Sequence, residues 1–90
     1  MTTVDEQQIK IAEGRDAQAL KSNPALEACM KATLDDLFLR WVATGPDDGN
    51  ERMAIWSTAQ ALRSFNDMVD AFISTGKIEE SIRNEQLSKN

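Results

Sequence analysis

The sequence has no histidine and no tyrosine, a single cysteine, and only two prolines and four glycines among 90 residues. Without histidine, the chain lacks the side chain that proteins use most often as a general base and metal ligand. Cys29 cannot form a disulfide within the chain, and no histidine accompanies it to generate a thiolate. We therefore interpret Cys29 as a packed small hydrophobic residue, and we expect no enzyme activity, no cofactor and no metal ion.

Long apolar runs are also missing. No stretch approaches the roughly 18–20 apolar residues needed to cross a bilayer, and the first ten residues lack the order of a signal peptide. The polar helix faces carry acids as often as bases, whereas a helix that binds a membrane surface is rich in Lys and Arg. With one cysteine, the sequence predicts a protein of a reducing cytoplasm that makes no membrane contact.

The charge is acidic but dispersed. Fifteen acidic and ten basic residues give a net charge of −5. Residues 44–76 carry five acidic and two basic residues, and residues 77–90 carry three of each. Clustered Lys and Arg, on which contact with a phosphate backbone depends, are missing. We therefore expect no direct binding to nucleic acid.

A first helix is predicted over about residues 24–43. Asn23 and Pro24 are typical of a helix start, because asparagine caps free N–H groups and proline lacks the N–H that would go unpaired there. Gly45, in a left-handed conformation, and Pro46 are expected to end the helix. Apolar residues on one face recur every three or four positions; they are Leu26, Met30, Thr33 or Leu34, Leu37 and Trp41, with Phe38 beside them.

A second helix is predicted over about residues 49–75. Asp48 and Glu51 have the spacing of a capping box, and Gly76 is expected to end the helix. Its apolar stripe alternates steps of three and four; it contains Ile55, Thr58 or Ala59, Leu62, Phe65, Val69 and Phe72. Because the turn is short, the two helices are predicted to form an antiparallel hairpin, residues 23–76, at the centre of an all-α fold.

The flanking segments are predicted to be a helical arm and a polar tail. Residues 1–22 begin with Thr3 and Glu6 at capping-box spacing and have a composition that favours a helix. Gly14 is expected to interrupt this arm. Residues 77–90 predict a separate C-terminal helix of two or three turns.

The turn "PDDGNE" is acidic but lacks the alternating ligands and the terminal glutamate spacing of a twelve-residue calcium loop. Asp47, Asp48 and Gly49 are therefore interpreted as turn and capping residues. Asp35 and Asp36 are adjacent on a helix, where neighbouring side chains diverge, and this pattern is typical of a solvated face.

Three large side chains fall outside the apolar stripes. On a helical wheel, Met53 and Trp56 lie about 120–160° from the stripe of the second helix, and Leu39 lies opposite that of the first. A hairpin alone cannot cover both of its faces. We expect either the N-terminal arm or a second chain to cover these residues. Together with Trp41, they form the predicted interface with a partner or with another subunit.

Two segments carry a resemblance to a known group of proteins. They are "GRDAQALKSNPALEACMKATLDDLFLRW" and "ERMAIWSTAQALRSFNDMVDAFISTGKIEE", and together they span roughly residues 14–80. The pattern "DAxxLxxNPxLxA", a tryptophan that ends one helix, a short turn with Asp, and Gly-Lys-Ile near the end of the second resemble small helical proteins from the head and DNA-packaging genes of tailed bacteriophages and prophages. The resemblance implies a virion component, an assembly component or a packaging accessory, acting in the host cytoplasm. It assigns no functional residue.

The leading hypothesis is a non-enzymatic assembly protein that forms a homo-oligomer or docks on a larger phage structural protein, since paired hairpins can bury what one hairpin exposes. One alternative is an acidic inhibitor of a host nucleic-acid enzyme, with carboxylates in a basic groove; these would be Asp35, Asp36, Asp47, Asp48, Asp67 and Asp70. Another alternative is a packaging accessory such as a terminase small subunit, which needs a surface that contacts DNA. The basic residues available for it in the N-terminal third are Lys10, Arg15, Lys21 and Lys31.

Overall fold

The computed structural model describes residues 3–89, which form three α-helices and no strand. α1 spans Val4–Lys21, α2 spans Pro24–Val42 and α3 spans Gly49–Ser88. The all-α prediction is confirmed for these residues. The helical hairpin is only one part of the arrangement, because α3 is much longer than α2 and also carries α1.

Both predicted caps at the starts of α1 and α2 are present. The Thr3 hydroxyl accepts a hydrogen bond from the backbone N–H of Glu6 at 3.1 Å. The Asn23 side chain accepts one from the N–H of Ala25 at 2.8 Å, and Pro24 is the first residue of α2. Each bond occupies an N–H group that has no partner within its helix.

The turn between α2 and α3 differs from the prediction. The side chain of Asp48 makes no capping bond to α3. Its Oδ2 instead accepts from the backbone N–H of Gly45 at 2.8 Å, and the N–H of Asp48 donates to the Gly45 carbonyl at 3.1 Å. The predicted capping box is therefore wrong, because this carboxylate closes the turn. Gly45 is not left-handed either, since no residue from 3 to 89 has the positive φ that this conformation requires.

α3 continues through Gly76 to Ser88, a length of 40 residues and roughly 60 Å. The prediction that Gly76 ends the helix is wrong, and the C-terminal segment continues α3 instead of forming a separate helix. α1 likewise passes through Gly14 without a break. One contact explains why a glycine occupies each of these two positions inside a helix. A Cβ added at Gly14 would lie 2.7 Å from the Cα of Gly76, so the two helix backbones touch where they cross.

α1 packs on the C-terminal half of α3, next to this crossing. Ala17 is buried in one cluster with Val69 and Ile73, and Ile11 is buried as well. Polar pairs along the same contact join Gln7 to Glu79 at 3.3 Å, Arg15 to Glu80 at 2.6 Å, and Lys21 to Asp70. Because residue numbers rise along α1 as they fall along α3, the two helices run antiparallel.

α2 lies on the N-terminal half of α3. Leu37 and Ile55 are the buried side chains of this contact. An ion pair between Arg40 and Glu51, with 3.2 Å between nitrogen and oxygen, joins the two helices beside the turn. This contact is less extensive than the one between α1 and α3. α2 is therefore held by few buried side chains.

The molecule is long and thin. It measures 66 by 28 by 15 Å, and its radius of gyration is 19.1 Å, whereas a compact domain of this length has about 12 Å. A single helix with side chains is about 10–12 Å across, so the thinnest dimension is little more than one helix. No side chain of the described residues is less than 2% exposed. A single layer of helices leaves both of its flat faces open.

Candidate interaction surfaces

The two tryptophans lie on one exposed surface where α2 meets the N-terminal half of α3. A shallow groove there is lined by Leu34, Leu37, Phe38 and Trp41 of α2 and by Ile55, Trp56 and Ala59 of α3. Four of these side chains are large and exposed, and we name them the tryptophan surface: Leu34, Phe38, Trp41 and Trp56. Trp56 alone has 54% of its area open to solvent.

The structure brings together two of the four predicted interface residues. Trp41 and Trp56 share the groove, whereas Leu39 and Met53 do not line it. Both of these are exposed, Met53 at 62%. Phe38, predicted to lie beside the apolar stripe of α2, lies on the tryptophan surface. Because Leu37 is the buried residue, its neighbour must lie about 100° further around the helix.

The N-terminal arm does not cover Met53 or Trp56, so that alternative is wrong. The crossing of Gly14 with Gly76 fixes α1 on the other half of α3, and no residue of α1 lines the groove. Covering by a second chain stays a prediction.

Arg52 holds the α2 end of the tryptophan surface in place. Its guanidinium carbon lies 5.2 Å from the centre of the Trp41 ring, a cation–π contact. Its Nε donates a hydrogen bond to the hydroxyl of Thr44 at 2.6 Å. One partly buried side chain of α3 thus binds both the last turn of α2 and the connection that follows it. The position of Trp41 is consequently fixed relative to α3.

A second apolar surface follows α3 beyond this groove. Its members recur in steps of four and three and all are exposed; we name them the α3 seam: Ala54, Thr58, Ala61, Phe65, Met68 and Phe72. Its larger side chains border a groove of about 350 Å³, whose other wall includes Ala17 and Leu20 of α1. Phe65, 47% exposed, and Phe72 were predicted to lie within the hairpin stripe. They lie outside it, because α1 and α2 cover the adjacent side of α3, which carries Ile55, Val69 and Ile73.

The residues considered for catalysis or metal binding, Cys29, Asp35 and Asp36, are exposed on α2. From residue 3 to residue 89, no group of three or more His, Cys, Asp or Glu side chains is placed to hold a metal ion. Cys29 is exposed, so its interpretation as a packed residue is wrong. It lies off the side of α2 that carries Leu26, Met30 and Leu37. Asp35 and Asp36 are exposed on α2, as predicted for a solvated face.

Within the described range, none of the helices is long and apolar enough to cross a membrane. Comparisons of the chain with protein-family models, with curated proteins and with solved structures gave no match.

Proposed function

We propose that this chain is a non-enzymatic helical assembly module that binds further protein chains, copies of itself included, through exposed apolar side chains. The unit that associates is α3 with α1 and the α2–α3 hairpin packed along it. One observation carries the proposal. Among residues 3–89, sixteen large hydrophobic side chains are exposed, against six hydrophobic residues that are buried. Single exposed apolar residues are ordinary, but contiguous apolar surfaces typically mark sites of interaction.

The energetic argument follows from the shape. A chain of this length buries only about 60% of its unfolded surface even when it is compact, and such domains are marginally stable. This one is extended. Complete burial of a Leu, Phe or Met side chain stabilises by about 1.5–3 kcal/mol. Association that covers the tryptophan surface and the α3 seam would supply stability that the single layer lacks.

The process we propose is assembly of a bacteriophage virion or head, either by self-association or by docking on a larger phage structural protein. The support for this process is the resemblance of residues 14–80 to small proteins of phage head and packaging genes. The tryptophan surface has the composition of an interface centre, where Trp and other large apolar residues predominate.

Two other functions have weaker support. For an acidic inhibitor, two of the six proposed carboxylates already have partners, since Asp70 pairs with Lys21 and Asp48 closes the turn. For a packaging accessory that contacts DNA, two of the four proposed basic residues are likewise paired: Arg15 with Glu80, and Lys21 with Asp70. No described feature favours either function over assembly.

The experiment compares Trp56→Ala with Met53→Ala in sedimentation velocity over a range of concentrations. We expect Trp56→Ala to weaken association through the tryptophan surface at least tenfold, because loss of a central tryptophan at an interface costs about 2 kcal/mol or more, and 1.4 kcal/mol corresponds to a factor of ten. Met53→Ala is the matched control. It removes a side chain of similar exposure outside the tryptophan surface, and a change below about threefold is expected on the same scale.

Circular dichroism of both variants checks that the helices persist. Equal effects of the two substitutions would favour the wider interface that the sequence predicts, with Leu39 and Met53 included. Unchanged association in both variants would remove the tryptophan surface from the proposal.

A further inference from the structure

We propose that the α3 seam is the contact surface of an antiparallel homodimer. This inference rests on the proposed function and names the partner as a second copy of this chain. The seam runs from Ala54 to Phe72 over roughly 27 Å of helix. Its steps of four and three are the spacing with which helices pack along each other in coiled coils.

The order of small and large residues sets the direction. The first half of the seam is small, with Ala54, Thr58 and Ala61, and the second half is large, with Phe65, Met68 and Phe72. When two copies of α3 cross at residue 63 in opposite directions, Ala54 faces Phe72 of the second copy. In the same register Thr58 faces Met68, and Ala61 faces Phe65. Every layer then pairs a small side chain with a large one, as close packing requires.

A parallel dimer lacks this match. It would set Ala54 against Ala54 at one end and Phe72 against Phe72 at the other. The first pairing leaves a void and the second crowds two aromatic rings, and both destabilise a packed contact. The side-chain sizes along the seam are therefore complementary between two copies only when the copies are antiparallel.

The charge pattern permits two acidic chains to meet here. Each copy carries −5, so like charges would oppose dimerisation at a charged surface. The six seam residues are uncharged, and so are the residues that flank the seam on its open side, Ser57, Ser64 and Ala71. The α1 wall of the adjoining groove carries two carboxylates, those of Glu13 and Asp16, so like charge is absent from the seam itself but not from the groove. The hydroxyl of Thr58 donates to the Ala54 carbonyl at 3.0 Å, so its burial would leave no unpaired donor.

The contact must extend beyond the six seam residues, because a stable dimer buries about 800 Å² per partner. In this dimer the N-terminal half of the second copy's seam lies in the groove between α1 and the C-terminal half of α3. Leu20 lies on one wall of this groove, with Phe65, Met68 and Phe72 on the other.

The first test is Ala61→Glu, which sets a carboxylate against Phe65 of the second copy. Ala61 is exposed on α3, and glutamate is a good helix former, so the single chain should keep its fold. The dimer dissociation constant is expected to rise at least tenfold. The matched control is Ser74→Glu. Ser74 is also an exposed residue of α3 and lies on the side opposite the seam. This substitution is expected to change the dissociation constant less than threefold.

The second test uses a short bismaleimide cross-linker on single-cysteine variants, in which Cys29 is first replaced by alanine. Ser64→Cys places its thiol near the crossing point in both copies, and a covalent dimer is expected. Ala54→Cys lies beside Phe72 of the second copy, roughly 27 Å along α3 from its counterpart, and should give none. A parallel dimer would set Ala54→Cys level with its counterpart, so a covalent dimer of that variant would overturn the inference.

The outcomes separate this inference from the proposed function. If Ala61→Glu leaves association unchanged while Trp56→Ala weakens it, the antiparallel dimer is wrong and the assembly function stands. If the unmodified chain stays at its monomer mass of 10.0 kDa at every concentration and Ser64→Cys gives no covalent dimer, the antiparallel dimer and the self-association in the proposed function are both overturned.

Discussion

Replacing Gly76 with alanine is expected to destabilise the protein by about 2 kcal/mol, although alanine is the better helix former. Alanine in a helix interior gains about 1 kcal/mol over glycine. Against this gain, the added methyl group would lie 2.8 Å from the Cα of Gly14 and 3.2 Å from the carbonyl oxygen of Lys10. These are backbone atoms that cannot rotate away. Overpacking of this kind costs about 1–3 kcal/mol, and we expect the upper end of that range.

Thermal unfolding followed by circular dichroism measures this effect. A loss of 2 kcal/mol lowers the melting temperature of a domain of this size by roughly 8–16 °C. The control is Gly49→Ala, because a Cβ at Gly49, the first residue of α3, meets nothing within 4 Å. Its melting temperature is expected to stay the same or rise. If both alanine variants gain stability alike, then α1 and α3 do not touch at Gly14 and Gly76.

The second large effect is expected from Leu37→Ala, which should destabilise the α2 contact by about 2–3 kcal/mol, at the lower end of the cost of a buried leucine. Leu37 and Ile55 are the two buried side chains by which α2 is held on α3. The α1–α3 contact has its own buried cluster. Loss of Leu37 should therefore release α2 while α1 stays packed.

Urea unfolding with two probes distinguishes these events. Tryptophan fluorescence reports on the end of the molecule where Trp41 and Trp56 lie, and the circular dichroism signal reports on all three helices. For Leu37→Ala we expect the fluorescence transition to move to lower urea than the circular dichroism transition. Leu39→Ala, an exposed leucine two residues away, should stay within about 0.5 kcal/mol of the unmodified chain. Equal losses in the two variants would contradict the assignment of Leu37 as the buried anchor.

Local chemistry explains the features that the sequence predicts well. The helix starts at Thr3 and at Asn23–Pro24 follow from bonds between residues two or three positions apart, and both are present. The predicted capping role of Asp48 is wrong, because its carboxylate accepts from the N–H of Gly45 instead. An aspartate before a helix can accept either from the N–H groups of that helix or from a neighbouring turn, and the sequence alone does not rank these two.

Local sequence patterns do not explain the positions of the two helix glycines. Gly14 and Gly76 are 62 positions apart, and each alone has the appearance of a helix break. Only their contact explains why both lie inside continuous helices. The same contact decides where α1 packs. Whether α1 lies over Met53 and Trp56 therefore depends on this crossing, which helical periodicity does not determine.

The predicted interface residues show a similar limit. Helical periodicity sets Leu39, Met53 and Trp56 outside the apolar stripes and Trp41 on the stripe of the first helix. It does not show which exposed residues of α2 and α3 come together. The structure joins Phe38 to the two tryptophans and leaves Leu39 and Met53 outside the groove.

The most direct test of the account is sedimentation equilibrium of the unmodified chain over a wide range of concentrations. A single layer of helices with two uncovered apolar surfaces should not stay alone, so the weight-average mass is expected to rise from 10.0 kDa to at least twice that value. A mass that stays at 10.0 kDa from the lowest to the highest concentration, with the helices intact by circular dichroism, would contradict it.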